Sequence, residues 1–309
     1  MKYSKINRSE PRSPKSRIQK PEYGTLYVVS TPIGNLEDIT LRALNILKYV
    51  DIMAAENVAH TKGLCKHYGI KTRLTSCNQH NEKVKVPGLI RRLNAGDNIA
   101  IVTDAGTPGI SDPGRYLINT AANEGITVTP IPGPCAMVSA LSVSGMPAEK
   151  FIFFGFLSNR PGKRKKELLR LTAEPRTMVF FETPHRIKAM LTDLKEILGN
   201  RNIVILREMT KIFEEVKRGS VTAILKYLTP DKVRGEFTLV VAGSDTEEVH
   251  TLSKKVTDRI KELVAEKKMS IKDIAGLLSS QEEPTYRQIY KECLIRKREL
   301  ERIEADGIG

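Results

Sequence analysis

Ile99-Ala-Ile-Val102 runs directly into Thr103-Asp-Ala-Gly-Thr-Pro-Gly-Ile-Ser-Asp-Pro-Gly114. A short apolar run that ends at an acidic residue and passes into glycine and proline is how a buried parallel strand delivers its carboxyl end to a pocket. Gly106, Gly109 and Gly114 let the backbone approach a ligand, and Pro108 and Pro113 hold the loop in one shape. An ordinary strand-to-helix turn has the same composition, so other stretches must decide.

The same grammar recurs on both sides of the loop. Thr25 to Ser30 is a β-prone run followed by Thr31-Pro-Ile-Gly-Asn35 and a helix with Ile39, Ala43, Ile46 and Val50 on one face, its amino end marked by Glu37 or Asp38. A second strand, Asp51 to Ala55, ends at Glu56. After the Thr103 loop come a helix to Glu124, a strand Thr127 to Ile131, and the turn Pro132-Gly-Pro-Cys135 that opens a helix from Ala136 to Ser144. Strand, loop and helix in alternation predict an α/β domain over residues 23–146. The pattern restarts with strands at Phe151–Phe156, Thr177–Phe181 and Asn202–Leu206, helices at Lys163–Thr172 and Arg186–Leu198, and a final pair of strands near Phe213–Gly219 and Phe237–Ala242. This predicts a second α/β domain over 147–243.

The ends differ in composition. Residues 1–22 hold seven Lys or Arg against Glu10 and Glu22, with three prolines; they are expected to be a disordered basic tail, with a nucleic-acid arm or a transit peptide as alternatives. Residues 244–309 turn to Lys, Glu, Ser and Thr and predict a small helical appendage. Ile271, Ile274, Ala275 and Leu278 give its middle helix one apolar face, expected to pack against the second domain.

Across the 309 residues, 50 Lys and Arg outnumber 36 Asp and Glu, a formal charge of +14. Such an excess favours a polyanionic partner through counterion release. No run reaches bilayer length and no secretion signal is apparent, so a cytoplasmic protein without membrane contact is expected. Cys65, Cys77, Cys135 and Cys293 are too scattered for a disulfide framework or a zinc knuckle, and no histidine pair has metal-ligand spacing, so no metal is expected. Neither Gly-x-Gly-x-x-Gly nor a Walker loop is present, which disfavours nucleotide-phosphate enzymes.

Six segments act together: Ser30-Thr-Pro-Ile-Gly-Asn-Leu-Glu-Asp-Ile-Thr40, Thr103 to Gly114, Ile131-Pro-Gly-Pro-Cys-Ala136, Phe180-Phe-Glu-Thr-Pro-His-Arg186, Leu206-Arg-Glu-Met-Thr-Lys211 and Arg234-Gly-Glu-Phe-Thr-Leu239. On these the chain resembles the tetrapyrrole methylase superfamily and, within it, the ribosomal RNA small subunit methyltransferase I family, over roughly Gly24 to Gly243. The resemblance implies a two-domain α/β tetrapyrrole-methylase-like fold, of the class III S-adenosylmethionine methyltransferases, with the donor between the domains. It also implies a homodimer that methylates the ribose 2′-hydroxyl of a decoding-centre cytidine in 16S rRNA of the small ribosomal subunit, with no DNA partner. A sulfonium donor carries no phosphate, so its pocket needs close backbone, apolar walls and a few polar anchors.

By that resemblance Pro32, Gly34, Asp104, Ala105, Gly106, Thr107, Pro108, Pro132, Gly133, Cys135 and Ala136 fall on the donor side. Transfer to a hydroxyl needs alignment and removal of a weakly acidic proton, and Glu182, Glu208, Lys211 and Asp112 are the catalytic candidates. A salt-bridge network of Glu182, Glu208 and Arg207 bracing the cleft is the alternative for those residues. Arg186, Arg207 and Lys211 are expected at RNA phosphates; in the basic run that includes Lys163 and Arg164, phosphate contact competes with a merely solvated helix start. One departure stands out: where the family usually carries Glu-Asp-Thr-Arg-His-Thr, this chain has Glu56-Asn-Val-Ala-His-Thr61. Asn57 and Ala59 are expected to remove a cleft-facing charge pair, which makes a catalytically weakened RNA-binding or ribosome-assembly protein the main alternative; a methylase of a tetrapyrrole or another substrate is a further one.

Overall fold

A computed structural model describes residues 23–244, 253–279 and 286–305, in two compact units that meet in sequence at Ser244 and Asp245. The basic tail of residues 1–22 lies outside the described residues, as do 245–252, 280–285 and 306–309 of the appendage.

The first sheet of the larger unit is parallel. Its strands are β1 (Thr25–Val29), β2 (Ile52–Ala55), β3 (Arg73–Ser76), β4 (Ile99–Val102) and β5 (Thr127–Ile131), in the order β3-β2-β4-β1-β5. Every residue of β2 and β4 is buried, because both faces of these strands are covered by helices, and this is why they read as unbroken apolar runs. The helices are α1 (Leu41–Tyr49), α2 (Val58–Tyr68), α3 (Glu82–Asn94), α4 (Arg115–Asn123) and α5 (Ala136–Ser144). Glu37 and Asp38 do not start α1; they form a separate 3-10 turn, and the Thr40 side chain caps the helix by accepting from Ala43 N–H at 3.1 Å.

The strand order fixes where a ligand can lie. The connection leaving β1 passes β4 to reach β2, whereas the one leaving β4 passes β1 to reach β5, so the chain turns opposite ways at these two carboxyl ends and opens a crevice there. The two loops that emerge are stitched across it. Thr31 N–H donates to Gly106 O at 2.9 Å and Gly106 N–H to Thr31 O at 3.0 Å. Gly106 sits at φ +75°, a conformation that a β-carbon disfavours.

The second sheet comprises β6 (Phe151–Gly155), β7 (Thr177–Glu182), β8 (Asn202–Arg207), β9 (Glu215–Ser220) and β10 (Phe237–Val241), in the order β6-β7-β10-β8-β9. Only β6 and β7 pair in parallel, around α6 (Pro161–Leu169); β10 runs antiparallel between β7 and β8, and β9 runs antiparallel to β8. The link from β8 to β9 is too short for a parallel crossover, so an antiparallel return is forced. Helix α7 (Pro184–Leu198) and a short α8 (Val221–Tyr227), capped by Ser220 and not apparent in the sequence, cover one face around buried Phe180, Phe237 and Met178. The other face is covered by α5, whose Ala140 and Leu141 bury against Val179, Val204 and Val240.

The smaller unit has its own core. Helices α9 (Lys254–Ala265), α10 (Ile271–Leu278) and α11 (Tyr286–Ala305) bury Ile260, Leu263, Ile274, Ala275, Ile289 and Cys293 together. The apolar face read on residues 271–278 is thus used among these three helices.

Candidate active site

A cleft lies within the larger unit, between the Thr103–Gly114 loop and the start of α5 on one side and the ends of β7 and β10 on the other. Its apolar wall includes Ile33, Ile110, Phe156, Phe181, Met209 and Phe237, and three carboxylates, Asp112, Glu182 and Glu236, face it. Among the described residues, no lysine or arginine lines it. Of the residues expected from the sequence, Ala105, Gly106, Thr107, Asp112, Cys135, Ala136 and Glu182 come together here.

The other donor-side residues are placed differently. Pro32 and Asp104 line a second hollow behind the Thr31–Gly106 stitch, together with Ala59, His60, Thr61 and Leu64. Asp104 N–H donates to Glu56 Oε2 at 3.3 Å, and its own Oδ1 is buried without a partner. Gly34 meets the second sheet's loop: a β-carbon there would lie 2.6 Å from Lys211 Cγ and 2.9 Å from Met209 O. Gly133 is pressed on Ser30, where a β-carbon would come to 3.0 Å of Ser30 Cβ. Pro132 O accepts from Thr40 Oγ1 at 3.5 Å, and Pro108 is buried beside Gly114. These six shape the loops. The altered segment also falls at the second hollow: Asn57 is the exposed N-cap of α2, accepting from Ala59 N–H at 3.0 Å and His60 N–H at 3.3 Å, and neither Asn57 nor Ala59 lines the cleft that holds Glu182.

Glu182 ends β7 and is only 2% exposed. Its Oε1 accepts from Thr183 N–H at 2.8 Å and lies 3.1 Å from Arg186 Nε, while Oε2 is buried with no hydrogen-bond partner. A buried carboxylate oxygen without a donor is costly unless a ligand supplies one. Arg186 is turned inward, its Nη2 donating to Leu157 O at 2.7 Å.

Glu208 and Lys211 form a brace beside the cleft, not a pair of free catalytic groups. Lys211 Nζ bridges Glu208 Oε1 at 2.8 Å and Glu236 Oε2 at 2.9 Å, and Glu236 N–H donates to Glu208 at 2.9 Å. Burial pushes the Glu208 carboxyl up, but the hydrogen bonds from Lys211 and from the Glu236 backbone outweigh it and hold the group below its usual range; burial pulls the Lys211 ammonium down, but its bonds to the Glu208 and Glu236 carboxylates outweigh that and raise it. Neither group is poised to exchange a proton near neutral pH.

Asp112 differs. Burial first, then the charges of Glu56, Asp104 and Glu236, push its pKa up to about 6. A carboxyl easier to protonate in the fold than in the unfolded chain contributes most stability below the unfolded value near 4, and loses it as pH rises through about 6. Asp112→Asn should therefore raise stability by about 1–3 kcal/mol at pH 8 and leave it little changed at pH 3; thermal melts at both pH values read this.

The cations expected at RNA are mostly occupied. Arg164 is buried, with Nη2 2.6 Å and Nε 2.7 Å from Asp193 Oδ2, and so cannot meet a phosphate backbone. Its place on the inner face of α6 leaves Lys163 and Lys166 as the exposed members of the run. Arg207 pairs with Glu215 at 3.1 Å and donates to Lys232 O at 3.4 Å.

Comparison with known proteins agrees with this geometry. The family model of the Tetrapyrrole (Corrin/Porphyrin) Methylases matches residues 25–225. The chain is 46% identical over 230 residues to the ribosomal RNA small subunit methyltransferase I of Bacillus subtilis, covering 74% of this chain and 79% of the relative. Against the protein of the same name from Synechocystis it is 41% identical over 290 residues, 92% of this chain and all of the relative. The chain belongs to the ribosomal RNA small subunit methyltransferase I family. Its fold is shared by the uroporphyrin-III C-methyltransferase of Thermus thermophilus complexed with S-adenyl homocysteine, with a TM-score of 0.52 at 16% identity over 71% of this chain and 97% of that one.

The chain is therefore a methyltransferase, and its methyl donor is S-adenosylmethionine. The cleft fits such a molecule. A sulfonium and an ammonium are cations, and the wall offers them the carboxylates of Asp112, Glu182 and Glu236, of which Glu182 and Glu236 are also paired from behind by Arg186 and Lys211, while Phe156, Phe181 and Phe237 offer apolar faces to an adenine ring. Residues at these positions that the sequence did not single out include Phe156, Phe181, Met209, Glu236 and Phe237; all but Phe156 fall in the quoted motif segments.

Among the described residues, no group of three His, Cys, Asp or Glu could hold a metal ion, and no helix is long and apolar enough to cross a membrane.

Proposed function

We propose that this chain methylates the 16S rRNA of the small ribosomal subunit, at the ribose 2′-hydroxyl of a decoding-centre cytidine. The observation that carries the chemistry is Glu182 Oε2, a buried acceptor without a donor on the wall of a cleft suited to a cationic methyl donor. The relatives' name supplies the RNA class. The donor provides a methyl group already activated by its sulfonium.

The protein's own contribution is alignment and one proton. Thr183 N–H fixes Glu182 Oε1, which leaves Oε2 to accept the hydrogen bond of the entering hydroxyl and then to take its proton as the oxygen attacks. Aromatic and aliphatic walls exclude water and align the two reactants in line. A 2′-hydroxyl distinguishes RNA from DNA at such a site.

A tetrapyrrole acceptor fits less well. Its acidic side chains would meet the three carboxylates of the wall, and the nearby Arg186 and Lys211 are already paired with Glu182 and Glu236. The same proposal takes the protein to be a cytoplasmic homodimer. Ile212 and Phe213, 95% and 73% exposed, are apolar side chains available for self-association, which sedimentation at micromolar concentration would read.

The test is to incubate the protein with labelled S-adenosylmethionine and small subunits lacking the modification, and then map ribose methylation. One labelled cytidine in the decoding centre is expected. Donor binding without transfer would overturn methylation by this chain and favour the RNA-binding alternative.

A further inference from the structure

With Arg164, Arg186 and Arg207 engaged inside the fold, the backbone of an RNA substrate must be held by other groups. The free edge of the second sheet offers a pair. Lys232 Nζ lies 3.6 Å and Lys217 Nζ 4.9 Å from the centroid of the Tyr227 ring, so one aromatic side chain at the end of α8 gathers two ammoniums from separate segments. Among the described residues neither lysine has a carboxylate at ion-pair distance. Asp231, in the same turn as Lys232, is committed elsewhere: its carboxyl is lowered first by a hydrogen bond with Thr229, and further by the charges of Lys232 and Arg234.

Two like charges drawn onto one ring with no carboxylate at ion-pair distance repel each other, which the more distant Asp231 offsets only in part, and a phosphate relieves that repulsion. Charge on an edge strand such as β9 also discourages strand pairing, but that purpose needs Lys217 alone and gives no reason for Lys232 to join it from a turn outside the sheet. The pair is also tied to the cleft. The Arg207 guanidinium holds the Lys232 carbonyl at 3.4 Å, and Arg207 is followed by Glu208 of the brace and by Met209 of the cleft wall.

We propose that Lys217 and Lys232, seated on Tyr227, grip the phosphodiester backbone of the RNA and lead it to the cleft. This rests on RNA being the substrate. Arg207 acts here as a positioning residue for Lys232 and not as a phosphate contact.

The experiment measures binding of unmodified small ribosomal subunits by filter retention across a range of salt, for the wild type and for Lys217→Gln, Lys232→Gln and the double variant. The slope of log K against log salt should become shallower by about 1 per lysine removed. KM for subunits should rise while kcat and donor affinity stay unchanged. Tyr227→Phe should retain the wild-type slope, and Lys217→Arg should restore it. A wild-type slope in the double variant, with the fold intact by circular dichroism, overturns the grip, whether or not the lysines engage an acidic protein instead. A wild type that shows the lysine-dependent slope yet transfers no methyl group overturns the substrate proposal and leaves the grip standing.

Discussion

Replacing Glu182 by glutamine should lower the rate of methyl transfer by roughly 10²–10⁴-fold, the usual contribution of a positioned general base. Donor affinity should fall far less than the rate, since Asp112 and Glu236 keep their carboxylates on the cleft wall. Glutamine keeps the size of the side chain and can still accept from Thr183 N–H, the bond that holds Glu182 Oε1 at 2.8 Å. It cannot take a proton at the position of Oε2. Single-turnover rates with saturating donor and unmodified small subunits isolate this step from RNA binding. An unchanged rate would remove Glu182 from proton transfer and leave Asp112, the other cleft carboxylate expected to act as a base, to be tested in its place.

Arg164→Met should cost about 3–5 kcal/mol of stability, the effect of leaving one member of a buried ion pair without its partner. Asp193 is 6% exposed and would keep only Lys165, at 3.7 Å from its Oδ1, as a neighbouring cation. For a domain of this size each kcal/mol shifts Tm by about 2–4 °C, so the loss is readily seen in a melt. Arg164→Met with Asp193→Leu should recover most of it, since both charges are then gone and the volume is filled. An Arg164→Met protein that melts like the wild type but binds RNA less tightly would return Arg164 to the RNA surface.

That arginine shows why part of the site was not legible in the chain. Lys163 to Lys166 reads as a solvated basic run, and nothing local says that one of its four members faces inward; the reason is Asp193, in another helix and 29 positions away. The parallel sheet, in contrast, was legible because β2 and β4 are buried on both faces and so leave a compositional trace. The mixed order of the second sheet leaves none, as β10 inserts between two strands that precede it in sequence. Cleft residues on the Thr103 loop and after β5 were visible as glycine- and proline-rich strand ends. The separation of Pro32 and Asp104 from that wall leaves no trace in the sequence, because the Thr31–Gly106 stitch turns them to the opposite side, and a pair of backbone hydrogen bonds has no side-chain signature.

Helix α5 belongs by sequence to the first half and by packing to the second sheet, where Ala140 and Leu141 are buried on Val179, Val204 and Val240. A hinge between the halves would have to peel these side chains apart and expose them to water, at roughly 25 cal/mol for each Å² of apolar surface. The wall that α5 contributes to the cleft is thus held to the second sheet by a hydrophobic seam. For the proposed RNA substrate, access then becomes a demand on the RNA itself: a target nucleotide has to leave its stack to enter the cleft, so local looseness of the RNA becomes part of what is recognised.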